Sequence, residues 1–299
     1  MGIKVLSLFD GMSCGQIALN KLGIEVDEYV AYEIDNYATQ ITNKNFPNTI
    51  QMGNVFEGDY YKYGGFDLLI GGSPCTHWSI SSSNREITSD GIGFKLFNQF
   101  VRAKEESKCK YFLYENNYKI HDDIKNEITN KLGVKPILIN SSIFSAQSRN
   151  RLYWTNIPIK NIPIDKEISV KDILDINFTG VNIINETTFN DNKQSTEYQN
   201  KSLRIGTINK GGQGERVYSI YGKSINLTAN GGGKGARTGL YLIGDIVRKL
   251  SVLEAERLQC VPDNYTEGVS DTQRYKMIGN GWTVDVIAHI FEGLKVNNI

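Results

Sequence analysis

The apolar run Phe66-Asp67-Leu68-Leu69-Ile70 is cut off by Gly71-Gly72-Ser73-Pro74-Cys75-Thr76, and this stretch constrains the fold more than any other. A short, partly branched apolar segment bounded by glycines predicts a buried strand, and Pro74, with no N–H to give a ladder, forbids its continuation. A lone cysteine is thereby delivered to the mouth of a sheet, where open α/β sheets bind ligands and carry out chemistry. Free cysteine is commonly just a small buried hydrophobe, so Cys75 gains chemical meaning only from its company.

The chain is 299 residues long, enough for one large domain and a smaller appendage, and its 33 basic and 33 acidic side chains cancel. With no global field, any nucleic-acid surface has to be local. The four cysteines, Cys14, Cys75, Cys109 and Cys260, are far apart and lack Cys-x-x-Cys spacing. That speaks against a zinc cage or a disulfide framework and for a reducing, cytoplasmic setting with no metal. The apolar run at 1–9 is too short, and too soon followed by Asp10, for a signal peptide or a membrane span.

Residues 3–9 read as a strand, 10–15 as a glycine-containing turn, and Ile17, Ala18, Leu19 and Leu22 as one face of a helix. Such a turn lets a ligand approach the backbone at a helix N-terminus. Its departure from Gly-x-Gly-x-x-Gly, with Ser13 and Cys14 in place of glycines, disfavours a nicotinamide cofactor. A second strand over 28–32 ends in Glu33, where a carboxylate can accept both hydroxyls of a ribose. Gly53-Asn54-Val55 closes a third segment whose position suits an adenine edge.

The polar, serine-rich stretch from Thr76 to Gly93 predicts a mobile functional loop, with Ser79, Ser81, Ser82, Ser83 and Arg85 available to phosphates or base edges. A helix follows over 94–104, then a strand over 109–114 that ends in Glu115-Asn116-Asn117. Two strand ends thus present a thiol and a carboxylic acid on one rim. A helix from about His121 and strands over 134–140 and 151–155 come next. In Gln147-Ser148-Arg149-Asn150-Arg151, two arginines at alternate positions share a face if the segment is extended, making a fork for a carbonyl oxygen or a phosphate.

From Ile157 to about Asn200 the composition turns polar and rich in Asn and Thr, as expected of a hinge. Over 201–237, seven cations (Lys201, Arg204, Lys210, Arg216, Lys223, Lys234, Arg237) face one acid, Glu215. Glycines interleaved with these cations suit loops pressed into a nucleic-acid groove. Ile220, Ile225, Leu227, Leu240, Tyr241 and Leu242 supply short strands, and helices are expected over 250–261 and 275–294.

Phe9-x-Gly11, Glu33, Pro74-Cys75, Glu115-Asn116 and Gln147-x-Arg149-x-Arg151 precede Arg248 to Gln259 and then Gly279-Asn280-Gly281. In this order they resemble the DNA cytosine-5 methyltransferases over nearly the whole chain. The stretch 66–75 and Trp282-Thr283-Val284 are similar to the de novo animal enzymes, and 210–218 to the recognition segment of bacterial members. The resemblance implies a compact bacterial or phage enzyme of α/β class. Its parts would be a Rossmann-like S-adenosylmethionine-dependent domain over 1–160, completed by 265–299, and a small, mainly β target-recognition domain over 161–264.

By the same resemblance Cys75 adds to carbon 6 of a cytosine, Glu115 holds and protonates N3, and Arg151 with Arg149 faces O2 and neighbouring groups. The implied methyl donor is S-adenosylmethionine, with no metal. Phe9 would stack on adenine, Asp10, Gly11, Ser13, Cys14 and Gly15 lie near the methionine end, and Glu33 hold the ribose. Ile34, Asn54, Val55, Ser73, Pro74, Asn280 and Trp282 complete the expected pocket. The implied partner is double-stranded DNA, bound by a monomer, with the target base rotated out of a short site. Gln213 and Ser81 would fill the gap, and Ser79, Arg85, Arg216, Gly232, Gly233, Lys234 and Arg237 would contact the duplex. Ser13-Cys14, Asn54 and Asn117 depart from the family pattern and bear on cofactor affinity, since none removes a reacting group. A tRNA cytosine-5 methyltransferase and a catalytically dead DNA-binding relative are the alternatives. The basic recognition segment favours duplex DNA over the first, and retention of the reacting residues disfavours the second.

Overall fold

The computed structural model describes residues 2–78, 85–178, 180–181, 183, 187–190, 196–229 and 238–295. It divides into two compact units: Met1–Ile139 with Asn150–Lys160 and Ile287–Ile299, and Asn140–Arg149 with Asn161–Val286.

The first unit is built on seven strands, β1 (Ile3–Leu8), β2 (Val26–Tyr32), β3 (Ile50–Gln51), β4 (Leu68–Gly71), β5 (Tyr111–Asn117), β6 (Ile137–Asn140) and β7 (Asn150–Thr155). Their order is β3-β2-β1-β4-β5-β7-β6. β1 runs parallel to β2 and β4, β4 runs parallel to β5, and β7 is antiparallel to β5. β4 is buried along its whole length and β1 nearly so, which is why both read as almost continuous apolar runs. The chain winds outward from β1 in one direction and from β4 in the other, so a topological switch point lies between them. Leu8 faces both Tyr32 and Gly71, and Gly71 faces Tyr114. The segments that leave β1, β2, β4 and β5 therefore start from one edge.

Gly71 is required at that edge, because a β-carbon there would stand 2.8 Å from the Leu8 carbonyl oxygen and 3.0 Å from the Phe100 ring. Helices α1 (Cys14–Lys21), α2 (Asn36–Asn45), α3 (Ile92–Ser107) and α4 (Asp122–Leu132) belong to the same unit. α3 buries Phe94, Phe97, Phe100 and Val101, and the Phe97 and Phe100 rings lie 5.1 and 5.0 Å from that of Tyr114.

The second unit carries a five-stranded sheet ordered β12-β11-β10-β9-β8. Its strands are β8 (Thr187–Phe189), β9 (Arg204–Ile208), β10 (Arg216–Ser219), β11 (Leu240–Ile243) and β12 (Ile246–Arg248), packed around Ile205, Val217, Leu240 and Val247. The residues 220, 225 and 227 expected in strands lie outside them. α5 (Val252–Leu258) is shorter than expected, and the single helix expected over 275–294 is two, α6 (Asp271–Asn280) and α7 (Val284–Lys295).

The unit boundaries also correct the expectation of 161–264. The second unit runs on to Val286 and takes in 140–149. Buried polar side chains hold these pieces together. Gln147 Nε2 donates to Gln259 Oε1 at 3.1 Å, Leu227 N donates to Gln147 Oε1 at 2.8 Å, and Gln259 Nε2 donates to the Ile278 carbonyl at 2.9 Å. Arg248 grips Glu254 with two bonds of 2.7 Å. No helix among the described residues is long and apolar enough to cross a membrane.

Candidate active site

Past Gly71 the chain is held by the neighbouring strand. Ser73 is buried with its Oγ 2.6 Å from the Tyr114 hydroxyl, and Asn116 Nδ2 donates to the Ser73 carbonyl at 3.2 Å and to the Tyr114 hydroxyl at 3.3 Å. Burial pushes the Tyr114 hydroxyl pKa well above its usual range, so it stays neutral and keeps its proton for this network. Cys75 then opens a 3-10 turn, Cys75–His77, which the Trp78 amide closes by donating to the Cys75 carbonyl at 3.1 Å. The thiol sits on a half-buried turn and not in packed hydrocarbon.

β5 and β7 supply the acid and its cation. Glu115 faces Tyr153 and Asn117 faces Arg151, so Glu115 and Arg151 are diagonal neighbours on an antiparallel pair. Arg151 Nε stands 2.9 Å from Glu115 Oε1 in an ion pair, and both residues are 9% exposed. Arg151 Nη1 also donates to the Asn150 carbonyl at 2.8 Å. A carboxyl and a guanidinium are thus fixed together, at the end of the strand that also holds the Pro74-Cys75 segment.

Arg149 does not make the expected fork with Arg151. Its Nη1 donates to Asn226 Oδ1 at 2.9 Å and to the Leu227 carbonyl at 3.1 Å, and its Nη2 to the carbonyls of Gly279 at 3.1 Å and Gly281 at 3.0 Å. Four oxygens of the second unit occupy the two terminal nitrogens of this buried guanidinium, which cross-links the Gly279-Asn280-Gly281 segment to 226–227.

The turn after β1 is left-handed at Phe9, Gly11 and Ser13 (φ +58°, +59° and +60°). Asp10 points inward: its Oδ1 accepts from Ser7 Oγ at 2.6 Å and Tyr29 OH at 2.7 Å, and its Oδ2 from Ser13 Oγ. Burial raises the Asp10 pKa to about 6, against the pull of those three hydroxyls. The Ser13 and Cys14 side chains are buried in the same turn.

Glu33 is gripped by three amides: Gly11 N donates to Oε2 at 2.7 Å, and Ile34 N and Asp35 N each donate to Oε1 at 2.8 Å. A carboxylate has about four lone-pair sites, so this rigid group still suits a ribose hydroxyl. Ile34 is 74% exposed, a large apolar side chain left available to an adenine face. Asn54 caps the turn Val55–Glu57 by accepting from Phe56 N at 3.1 Å, while the Val55 side chain lies in the core. This donor set fits S-adenosylmethionine. Asn280 and Trp282 lie in the second unit, Asn280 exposed at the end of α6 and Trp282 half-buried just beyond it.

Of the residues expected on DNA, Ser79, Ser81, Gly232, Gly233, Lys234 and Arg237 lie outside the described residues, as does the 79–84 part of the expected mobile loop. Arg85 is partly exposed and tied to the protein: its Nε donates to the Trp78 carbonyl at 3.1 Å and its Nη2 to that of Lys119 at 2.6 Å. Gln213 is exposed between β9 and β10, in a loop clasped by Glu215, whose Oε2 accepts from Gly212 N at 2.7 Å and Oε1 from Asn209 Nδ2 at 3.2 Å. Arg216 is half-buried, and its Nε has no hydrogen-bond partner among the described residues. Lys223, counted among the surface cations, is 0% exposed and donates to the carbonyls of Ser142, Ser145 and Ile168 and to Asp165.

Sequence reasoning missed the tie that Tyr114 and Asn116 make to Ser73, because a Tyr in an apolar run reads as core. A model of the C-5 cytosine-specific DNA methylase family matches residues 3–296. The chain belongs to that family. Among its curated relatives is the type II methyltransferase M.HhaI of Haemophilus parahaemolyticus, 30% identical over 97% of this chain and 93% of that protein. The type II methyltransferase M1.ScrFI of Lactococcus lactis subsp. cremoris is 26% identical over 97% of this chain and 77% of that protein. Among solved structures, the methylase superposes on the Entamoeba histolytica methyltransferase EhMeth with a TM-score of 0.75 at 18% identity, covering 99% of each chain. The S. pombe Dnmt2 methyltransferase gives 0.71 at 16%, over 99% of this chain and 100% of that one. At those identities the two likenesses speak to the fold. Membership of the family makes the protein a cytosine-5 methyltransferase with S-adenosylmethionine as donor.

Proposed function

We propose that the methylase modifies carbon 5 of a cytosine in a short duplex DNA site by way of a covalent bond from Cys75 to carbon 6. Carbon 5 of cytosine is a poor nucleophile. Addition of a thiolate at carbon 6 turns the ring into an enamine whose carbon 5 can attack an electrophilic methyl group. S-adenosylmethionine, when bound, supplies that methyl. The backbone at Gly11, with Phe9, Glu33, Ile34 and Asn54, would hold it.

Glu115 gives a proton to N3, which draws electron density from carbon 6. Arg151 places a fixed cation beside O2, where charge develops in the transition state. Loss of the carbon 5 proton to solvent then expels the sulfur as thiolate, and N3 returns its proton to Glu115, which restores the aromatic ring and leaves Cys75 and Glu115 as they began. What carries the reading is the Glu115–Arg151 pair on the strand whose Asn116 holds the Pro74-Cys75 segment.

A base stacked in a duplex is out of reach of Cys75, so the target has to swing out, at about a few kcal/mol. Gln213, exposed on its clasped loop, is the side chain offered to the gap. The decisive test is transfer of tritiated methyl from S-adenosylmethionine to mixed-sequence duplex DNA and, in parallel, to tRNA. Label in DNA alone, as 5-methylcytosine, is expected. Label in tRNA alone would overturn the choice of substrate.

A further inference from the structure

The turn that carries Cys75 is anchored on both sides, and only its upstream anchor belongs to the chemistry already described. Upstream, Ser73 is tied to Tyr114 and Asn116 inside the protein. Downstream, His77 meets Glu86. Glu86 N donates to the His77 carbonyl at 2.8 Å, and His77 Nδ1 stands 3.3 Å from Glu86 Oε1. The other carboxyl oxygen of Glu86 accepts from Gly93 N at 3.0 Å, in the first turn of α3. That helix has Gly91 at its N-cap and no side-chain cap of its own, so the Glu86 carboxylate serves one of the amides a helix start leaves unpaired.

Room has been made for this carboxylate. A β-carbon at Gly91 would collide with it, and one at Gly93 would stand 2.9 Å from Glu86 Oε2, 2.8 Å from His77 Cβ and 2.7 Å from Trp78 Nε1. Gly91 has φ −75°, a conformation open to any residue, so its lack of a side chain serves the space and not the backbone.

We propose that Glu86 and His77 form a catch that fixes the direction of the Cys75 turn, which makes both of them positioning residues for attack on the base. The proposal rests on Cys75 being the nucleophile. Burial of Trp78 and the Arg85 bond to its carbonyl hold the chain beyond the turn, and the His77–Glu86 contacts add the hold on the turn's own last residue. Attack needs the sulfur aligned over carbon 6, and a misplacement of about 1 Å can cost about a hundredfold in rate. Neither Glu86 nor His77 touches the base in this account. They act by way of the backbone between Cys75 and Trp78, and the imidazole serves because its Nδ1–H can donate to the carboxylate whether or not the ring is charged.

The test compares the full-length wild-type protein with Glu86→Ala, Gly91→Ala, His77→Ala and His77→Asn. Asn places a side-chain N–H where Nδ1 stood, and Gly91→Ala evicts the carboxylate without touching it. Three quantities are read: deuterium exchange at the amides of Trp78 and Glu86, affinity for duplex DNA, and the rate of covalent trapping on the same duplex carrying 5-fluorocytosine. Glu86→Ala, Gly91→Ala and His77→Ala are expected to speed exchange and to slow trapping by about tenfold to a hundredfold. DNA affinity should stay within about threefold, the sign of an interaction needed for chemistry and not for binding. His77→Asn should recover most of the trapping rate. Unchanged exchange in Glu86→Ala and Gly91→Ala would overturn the catch, and faster exchange with an unchanged trapping rate would overturn its positioning role. A wild-type protein that traps nothing would instead sink the reading of Cys75, and the exchange comparison would still judge the catch.

Discussion

Arg151 Nε stands 2.9 Å from Glu115 Oε1, a diagonal contact between antiparallel strands in which both residues are about nine-tenths buried. Removing one partner of such a pair strands the other, at about 3 to 5 kcal/mol. Arg151→Met is therefore expected to lower stability by about 3 kcal/mol in urea melts and to abolish methyl transfer. Adding Glu115→Gln to it should restore part of the stability and none of the activity. Recovery of activity in the double variant would contradict the assigned roles.

Arg149 and Arg151 differ by two positions and should fail in opposite ways. Arg149 serves four oxygens of the second unit, and each buried acceptor left unpaired costs about 1 to 3 kcal/mol. Arg149→Lys should thus cost stability while trapping by the folded fraction stays within about threefold of wild type. Arg151→Lys should lose trapping with a smaller stability loss. The reverse pattern would return Arg149 to the base.

The Asp10 carboxyl has an ordinary pKa of 3.8 and a folded value of about 6, raised by burial. Between those values the folded chain holds a proton that the unfolded chain has released. The group's stabilising contribution is therefore complete below pH 3.8 and is lost as pH rises through 6. Asn cannot titrate. The stability of Asp10→Asn relative to wild type should climb from pH 4 to pH 7 and then level off, as read from urea midpoints. Parallel curves for the two proteins would contradict the assignment.

The rim of the sheet was legible because buried parallel strands are near-continuous apolar runs, and the residues that end them, Glu33, Cys75 and Glu115, are polar interruptions that stand out. The fate of Arg149 was not legible. Alternation places a side chain on a face, yet it carries no information on carbonyls that arrive from residues 227, 279 and 281. The same blindness moved the domain boundary. α5 and α6 are tied into the second unit by Gln147–Gln259 and by the bonds of Gln259 to the Ile278 carbonyl and of Arg274 to Glu256, and no apolar stripe reports such links. Lys223 reads as one more surface cation, and only the folded chain surrounds it with three carbonyls and Asp165.

Gln213 is expected to act only when a base has to leave an intact pair. Gln213→Gly should weaken binding to a normally paired site more than to a duplex already mismatched at the target, since the mismatch has removed part of the unpairing cost. Equal losses on the two duplexes, measured by equilibrium titration, would rule out gap filling.

The most direct test is covalent trapping of the purified wild-type protein and Cys75→Ser on duplex DNA in which 5-fluorocytosine replaces the target cytosine, with S-adenosylmethionine present. The account predicts a denaturant-resistant adduct of one chain per duplex, with the peptide holding Cys75 joined to the base, and none from Cys75→Ser. Undiminished methyl transfer by Cys75→Ser, or an adduct mapped to any other residue, would contradict it.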